Sequence, residues 1–384
     1  MDILISGAGI AGPALALWLA RSGHRVTVVE KAPALRPGGQ AVDFKGATHL
    51  TVLERMGILE EVRRRQTGGT DHRIIDADGR TLAVVPREFT GGDVEILRGD
   101  LSALLYERTK DGCEYVFGDS IASLTETPSG VHVTFEYGTP RTFDLVVGAD
   151  GIHSQVRRLA FGPERDYVRH LGYYYALADI GGVGSGSVMY TEPGRTVAVE
   201  GSHGPALLIF ASPELDYDRD DAEQHKRIIA DAYRGAGWRV PELIARLPRA
   251  RNVYLDSISQ VRMDRYARGR VVLIGDAAYG NTLAGFGTGL AVVAAYVLAG
   301  ELCRADYRTA FERYERLFHP YARSARSGNA GSFLAPPTRG RIRMRNWMFK
   351  RRLLFGALMK LTDKLATDID LPDYTSFSWP ASTT

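Results

Sequence analysis

Cysteine is nearly missing from these 384 residues: two occur, Cys113 and Cys303, far apart. So distant a pair builds no disulfide framework and lacks zinc-ligand spacing, so no metal site is expected and a reducing cytoplasm is the expected compartment. Neither sign of charge dominates. Lys and Arg number 48 against 45 Asp and Glu, a balance too mild for a nucleic-acid-binding domain. No secretory leader is expected, because the apolar N-terminus runs straight into a glycine turn. A long uninterrupted apolar span is missing too. Residues 279–300 carry no charge, which is length enough for a bilayer. Glycine, Asn and Thr fill their first half, however, so a buried helix from about residue 290 behind a glycine loop is expected, with no stable membrane insertion. What remains is a chain of ordinary hydrophobic content, long enough for two intergrown domains.

The first residues set the pattern. The apolar run 2–6 reads as a central parallel strand, 13–22 as a helix stopped by Gly23, and the β-branched run 25–30 as a second strand,. Helices are expected over 47–66 and 99–111, and a hairpin over 73–85 turning at Asp78-Gly79. Short strands are expected at 115–116, 131–136 and 145–147. From 173 to 262 the pattern changes to strands at 173–180, 187–190, 196–200, 206–211 and 253–261, interrupted by a helix at 221–235. This predicts an inserted, mainly antiparallel sheet. Residues 271–274 return to a buried parallel strand. The fold class is therefore α/β, with a discontinuous Rossmann-like domain over 1–70, 98–165 and 263–330. A second domain is expected over 71–97 and 166–262, and a C-terminal helix and tail over 331–384.

Gly7, Gly9 and Gly12 form G-x-G-x-x-G between the first strand and the first helix. The first glycine permits the tight turn, the second lets a pyrophosphate approach the backbone, and the third lets helix and strand pack closely. Ile10 and Ala11 complete the turn. Glu30 ends the second strand and Lys31 follows it, a position where a carboxylate can bind ribose hydroxyls and disfavours a 2′-phosphate. NAD and FAD both fit this motif.

Two later motifs separate them. Residues 146–158 read VVGADGIHSQVRR and residues 271–289 read VVLIGDAAYGNTLAGFGTG. Together with Gly7-Ala8-Gly9-Ile10-Ala11-Gly12, the pairs Asp150-Gly151 and Gly275-Asp276 stand in an order and spacing that resemble the class A flavoprotein aromatic hydroxylases, with the para-hydroxybenzoate hydroxylase fold. The resemblance covers nearly the whole chain. It implies a GR2-type FAD domain, a substrate domain and a C-terminal helix bridging the two. Asp276 would lie near the flavin ribityl and pyrophosphate, and Gly285, Gly287, Thr288 and Gly289 would bring backbone N–H donors to the ring. Asp150 and Gly151 match a motif that contacts both FAD and NADPH, with Arg157 and Arg158 as candidates for attracting the NADPH phosphates. Arg98 matches an arginine that contacts the flavin.

Residues 38–43 resemble the loop beside the ring in tetracycline-inactivating and polyketide-tailoring monooxygenases, which makes Gln40 and Asp43 candidates for facing flavin or substrate. Tyr190, Phe210 and Met189 are candidate substrate-lining residues on strands, and Tyr173-Tyr174-Tyr175 form an aromatic cluster. The resemblance implies that NAD(P)H reduces FAD, and that a C4a-hydroperoxyflavin then hydroxylates a polycyclic aromatic or polyketide-like small molecule. No catalytic side chain is singled out, since the chemistry is centred on the flavin. Departures appear at Tyr279-Gly280-Asn281-Thr282, where many relatives carry His and prolines. Two other readings stay open: a flavin oxidase or dehydrogenase that inserts no oxygen, and a non-catalytic flavin-binding protein. The chain is expected as a monomer or homodimer. The basic stretch 341–364, interleaved with Ile342, Met344, Trp347, Met348 and Phe349, reads either as a membrane-surface helix or as a packed bridging helix, and the resemblance favours packing.

Overall fold

A computed structural model of the chain describes residues 1–68, 71–86, 93–182, 186–201, 205–285, 287–325, 328–351 and 370–374. The part of the expected basic helix beyond residue 351, and position 286 in the glycine loop, lie outside these. A six-stranded sheet carries the first domain in the order Ala267–Arg268, Val271–Leu273, Leu145–Gly148, Asp2–Ser6, Arg25–Glu30, Glu114–Phe117. Its strands run parallel except at the Ala267–Arg268 edge. The central strands are apolar throughout because helices cover both faces. Ile3, Leu4 and Ile5 are fully buried.

The later part of the uncharged run 279–300 forms most of the helix Gly287–Arg304. It is a core helix, packed against the first helix Ala11–Arg21 and against Tyr307–Ala325, with Trp18 edge-on to Tyr296 at 5.2 Å. Fourteen of its residues are buried, so the apolar length that would suit a bilayer is consumed by the protein interior. The expected single helix over 47–66 is two, Gly46–Arg55 and Leu59–Arg64. Gly57, at φ +73°, takes a left-handed conformation that no helix continues through,.

The second sheet has seven strands in the order Val253–Val261, Val168–Ala178, Ala206–Ala211, Arg195–Glu200, Ser187–Glu192, His72–Ile75, Thr81–Val85. All pairings are antiparallel except Ser187–Glu192 with His72–Ile75. The helix Ala222–Ala232 covers one face of it. A two-stranded ribbon escaped the sequence reading: Ala41–Phe44 pairs antiparallel with Val94–Leu97. The residues read as the ring-side loop therefore end in a strand, and 94–97 joins the ribbon rather than the large sheet. The alternation of Val42 and Phe44 with Ala41 and Asp43 was the available signal. The C-terminal helix Arg339–Lys350 lies against the large sheet through Phe349 and Met348. Residues 370–374 return to the first domain, where Tyr374 is fully buried and its hydroxyl donates to Glu301 Oε1 at 2.6 Å.

Candidate cofactor and substrate site

Strand order does most of the work of assembling this site. Val271–Leu273, Leu145–Gly148, Asp2–Ser6 and Arg25–Glu30 are successive parallel neighbours. Their carboxyl ends therefore set Gly275-Asp276, Asp150-Gly151, the Gly7–Gly12 turn and Glu30 side by side along one edge. Open α/β sheets bind ligands at such an edge.

The glycines there fall into two kinds. Gly7 sits at φ +107°, and a Cβ on it would come within 2.5 Å of the Ala149 carbonyl oxygen; on Gly12 it would sit 1.9 Å from the Gly7 carbonyl oxygen. Both are demanded by the chain's own packing. Gly9 is different. Its backbone suits any L-residue, and the nearest atom to a Cβ would be Arg98 Nη2 at 3.6 Å. Neither conformation nor packing asks for glycine at this position, so the small residue leaves room for something outside the chain. Gly287 is intermediate: a Cβ there would sit 3.3 Å from Asp276 Oδ1, closer than side chains ordinarily pack, so the carboxylate would have to give way. Gly289 belongs to the packed kind, since a Cβ would strike the buried ring of His49 at 2.2 Å.

Glu30 accepts the Ala8 N–H at 2.7 Å and the Ala32 N–H at 2.9 Å, which fixes its carboxylate beside the glycine turn. Lys31 turns away and pairs with Asp220 at 2.9 Å on the exposed surface. Asp276 opens the short helix Asp276–Tyr279. It is accessible to solvent, yet desolvation by the surrounding protein lifts its carboxyl above the ordinary value, with Arg98 pulling the other way. A group both accessible and crowded forms the wall of a concave site. Arg98 is placed by its own backbone: its N–H donates to the Gln40 carbonyl at 3.0 Å, and the next residue, Gly99, donates to Gly38 at 2.8 Å. The segment that carries Gln40 and Asp43 is thereby bound to the arginine that approaches Gly9 and Asp276.

Asp150 spends its carboxylate on the chain. It accepts from Ser154 Oγ, from the Val156 N–H at 3.0 Å and from Ser6 Oγ at 3.4 Å. These bonds order the turn that presents the Gly151 backbone. Arg157 requires a correction. It has no exposed surface and donates to the Ala277 and Ile152 carbonyls, so it ties the second motif to the third and offers nothing to a passing phosphate. Arg158 stays on the surface, hydrogen-bonded to Gln155.

Tyr190 and Phe210 require the second correction. Both lie on the helix-covered face of the large sheet. Tyr190 donates to Glu192 at 2.8 Å and Phe210 stacks on Tyr174 at 5.7 Å. Side chains alternate across a strand, so a shift of one residue exchanges the faces. The opposite face carries Tyr173, Tyr175, Ile209 and Ile258, which pack with Leu283 from the glycine loop, and farther along it Met189. Aromatic residues occupy both parities of Tyr173-Tyr174-Tyr175, which is why alternation alone did not choose between them.

One further group on this side went unread. Tyr254 keeps 39% of its surface while crowding raises its hydroxyl well above the ordinary value, the same cleft-wall signature as Asp276. It donates to Asp256 Oδ2 at 2.8 Å and packs against Tyr175 at 5.7 Å. Asp256, almost fully buried, meets His153 Nε2 at 3.0 Å, and His153 Nδ1 meets Glu164 at 3.0 Å. Burial alone would lower the His153 imidazole and raise the Asp256 carboxyl. Burial is the largest single influence on each, but the hydrogen bonds and charge from Asp256 and Glu164 together leave His153 raised, and those from His153, Tyr254 and the Ser257 N–H together leave Asp256 lowered. Glu164 falls to about 2: burial would raise it, and His153 and Arg219 together more than offset that. His153 belongs to the loop after Gly151, so this buried clamp joins the first domain to the second sheet.

Comparison with known proteins agrees with this geometry. Residues 1–323 match the family described as FAD binding domain. A flavin-dependent monooxygenase of Legionella longbeachae is 35% identical over 336 residues, covering 84% of this chain and 86% of that protein. The uncharacterized protein Rv1260 of Mycobacterium tuberculosis is 41% identical over 335 residues, 83% and 90% of the two chains. The crystal structure of the tetracycline destructase Tet(55) superposes with a TM-score of 0.82 at 32% identity, covering 97% of this chain and 98% of that one. An edge of parallel strands that gathers the Gly7–Gly12 turn and two glycine-acid pairs, together with relatives aligned along most of the chain, places this protein in the FAD-binding family of flavin-dependent monooxygenases.

Proposed function

We propose that this enzyme uses FAD, NAD(P)H and O₂ to insert one oxygen atom into a polycyclic aromatic or polyketide-like small molecule. The observation that carries the reading is a juxtaposition. A glycine-lined edge with Asp276 and Arg98 on it stands beside Tyr175 of the sheet, whose hydroxyl feels both charges, and Leu283 of the glycine loop packs into the same cluster as Tyr175 and Ile258. The destructase likeness supports a fused-ring substrate.

The residues fit FAD. Glu30 is set to take ribose hydroxyls, and the Gly9–Gly12 backbone to take the pyrophosphate at the start of the first helix. Asp276 suits the ribityl hydroxyls, and the backbone of Gly285, Gly287, Thr288 and Gly289 suits the ring. When bound, FAD supplies the hydride-accepting and oxygen-activating chemistry that side chains lack. The chain's own part is to hold the substrate against that wall and to exclude water with the apolar sheet face. Asp150 and the buried Arg157 contribute by fixing the Gly151 turn and the Asp276 turn to each other.

The test is an anaerobic spectrum of the FAD-loaded protein with NADPH, repeated with tetracycline-type and other polycyclic phenols, followed by admission of air. Bleaching, then a product heavier by one oxygen, is expected. Bleaching by the phenol alone, without NADPH, and peroxide on admission of air would convert the assignment to an oxidase. A flavin that stays oxidised under every condition would refute both.

A further inference from the structure

The near-neutral charge of the chain conceals a strong segregation. No Asp or Glu occurs between Glu315 and Asp363, while eleven Lys or Arg do; elsewhere 37 cations stand against 45 acids. Part of this basic segment is the helix Arg339–Lys350. One side of it is anchored. Phe349 and Met348 pack with Ile74, Ala83, Val85 and Met189. Arg345, 3% exposed, donates to the Leu334 carbonyl at 2.6 Å and to Thr191 Oγ1 at 3.1 Å. These contacts fix the rotation of the helix about its axis.

The other side is thereby held toward solvent. Arg339, Arg343, Trp347 and Arg351 recur at every fourth residue and so share one stripe. Met344 and Lys350 flank it. Met344 is 66% and Trp347 52% exposed, two large apolar side chains clustered on one basic face, and exposed apolar patches rimmed by polar groups mark interaction surfaces. Arg351 lies over the Trp347 ring at 5.2 Å. The segment contains no carboxylate to neutralise these cations.

We infer that this stripe is a docking surface for an anionic lipid bilayer, peripheral and reversible, with the cations on the headgroups and Trp347 and Met344 in the interface. Exposed cations interleaved with an indole and a thioether match the chemistry of a negatively charged membrane surface. A purely electrostatic polyanion would leave the methionine without a role. The inference is independent of the catalytic reading, since the anchoring sheet contacts of this helix go to the far strands His72–Ile75, Thr81–Val85 and Ser187–Glu192 among the described residues.

The experiment is co-sedimentation of the full FAD-loaded chain with vesicles of phosphatidylcholine alone or with about one-third phosphatidylglycerol. Binding is expected only to the anionic vesicles and is expected to fall away in high salt. The double variant R343E/R351E should weaken it at least about tenfold, and W347A should weaken it at low salt. Both changes are on exposed positions, and flavin content and melting temperature check that the variants are folded. Equal binding to neutral vesicles, no binding to either, or undiminished binding by R343E/R351E would overturn the inference. Retention by double-stranded DNA or heparin without retention by vesicles would also overturn it, in favour of a polyanion site.

Discussion

His153→Gln removes the cation from between two carboxylates and is the sharpest probe of how the two domains are held. Asp256 has 5% of its side chain exposed, His153 21% and Glu164 30%. Breaking a fully buried pair costs about 3–5 kcal/mol; the partial exposure here places the loss near ~3 kcal/mol. The pH dependence follows from the shifts. His153 is raised in the folded state, so its contribution is complete below its unfolded value near 6.5 and is lost as pH rises through the folded one,. Asp256 and Glu164 are lowered, so theirs is complete above their unfolded values of 3.8 and 4.5 and is lost as pH falls, for Glu164 toward about 2. Both hold between roughly pH 4.5 and 6.5. Arg219, Tyr254 and the Ser257 N–H also face these carboxylates and keep them ionised at neutral pH. The gap between wild type and variant should therefore be widest at about pH 5.5 and shrink to about 1 kcal/mol at pH 9, where only a neutral hydrogen bond remains to be lost. Thermal unfolding of both proteins at the two pH values measures it, as roughly 5 °C narrowing to about 2 °C. A gap that is the same at both pH values, or absent, would show that His153 carries no charge-dependent bond between the domains. Because His153 follows Gly151, FAD affinity should weaken in parallel.

Gly9→Ala should fold with a melting temperature within about 1 °C of wild type yet lose FAD, whereas Gly12→Ala should fail to give soluble protein; full flavin content in the first variant would show that Gly9 is not a cofactor wall. Tyr254→Phe should raise KM for a polycyclic substrate several-fold, while Tyr190→Phe should leave KM within about twofold and cost only ~1 kcal/mol of stability from the lost Glu192 bond. The reverse ranking would exchange the two faces of the sheet. Tyr374→Ala should cost about 3–5 kcal/mol, read by thermal unfolding, because its ring fills the space over Gly300 and its hydroxyl satisfies Glu301,. A loss under 1 kcal/mol would mean that the C-terminal segment is not held there.

Much of the first domain could be read locally. The strand over 2–6, the helix after Gly12 and the strand over 25–30 declare themselves by apolar or β-branched runs around the glycine turn, and the parallel strands before Asp150 and Asp276 by apolar runs that lead into a glycine and an acid. The short ribbon Ala41–Phe44 with Val94–Leu97 was hidden because its two halves are four residues each and more than forty apart; neither has enough length to stand out against a loop. Arg157 was misplaced for a different reason. In sequence it is one of two adjacent arginines on a short helix, and only the packing of Ala277 against that helix decides which of them is buried.

That strands, turn and helix would form a dinucleotide-binding unit was already local information, since period, glycine spacing and the acid ending the second strand are all properties of neighbouring residues. Tertiary structure alone decided which face of the large sheet looks toward the glycine wall. It also decided that Tyr254 reaches that side, and that His153 locks the domains together through Asp256. The physical reason is sequence distance. A strand announces that its residues alternate, but which parity meets a helix and which meets a cleft depends on the element that packs on it, and those partners lie tens to hundreds of residues away.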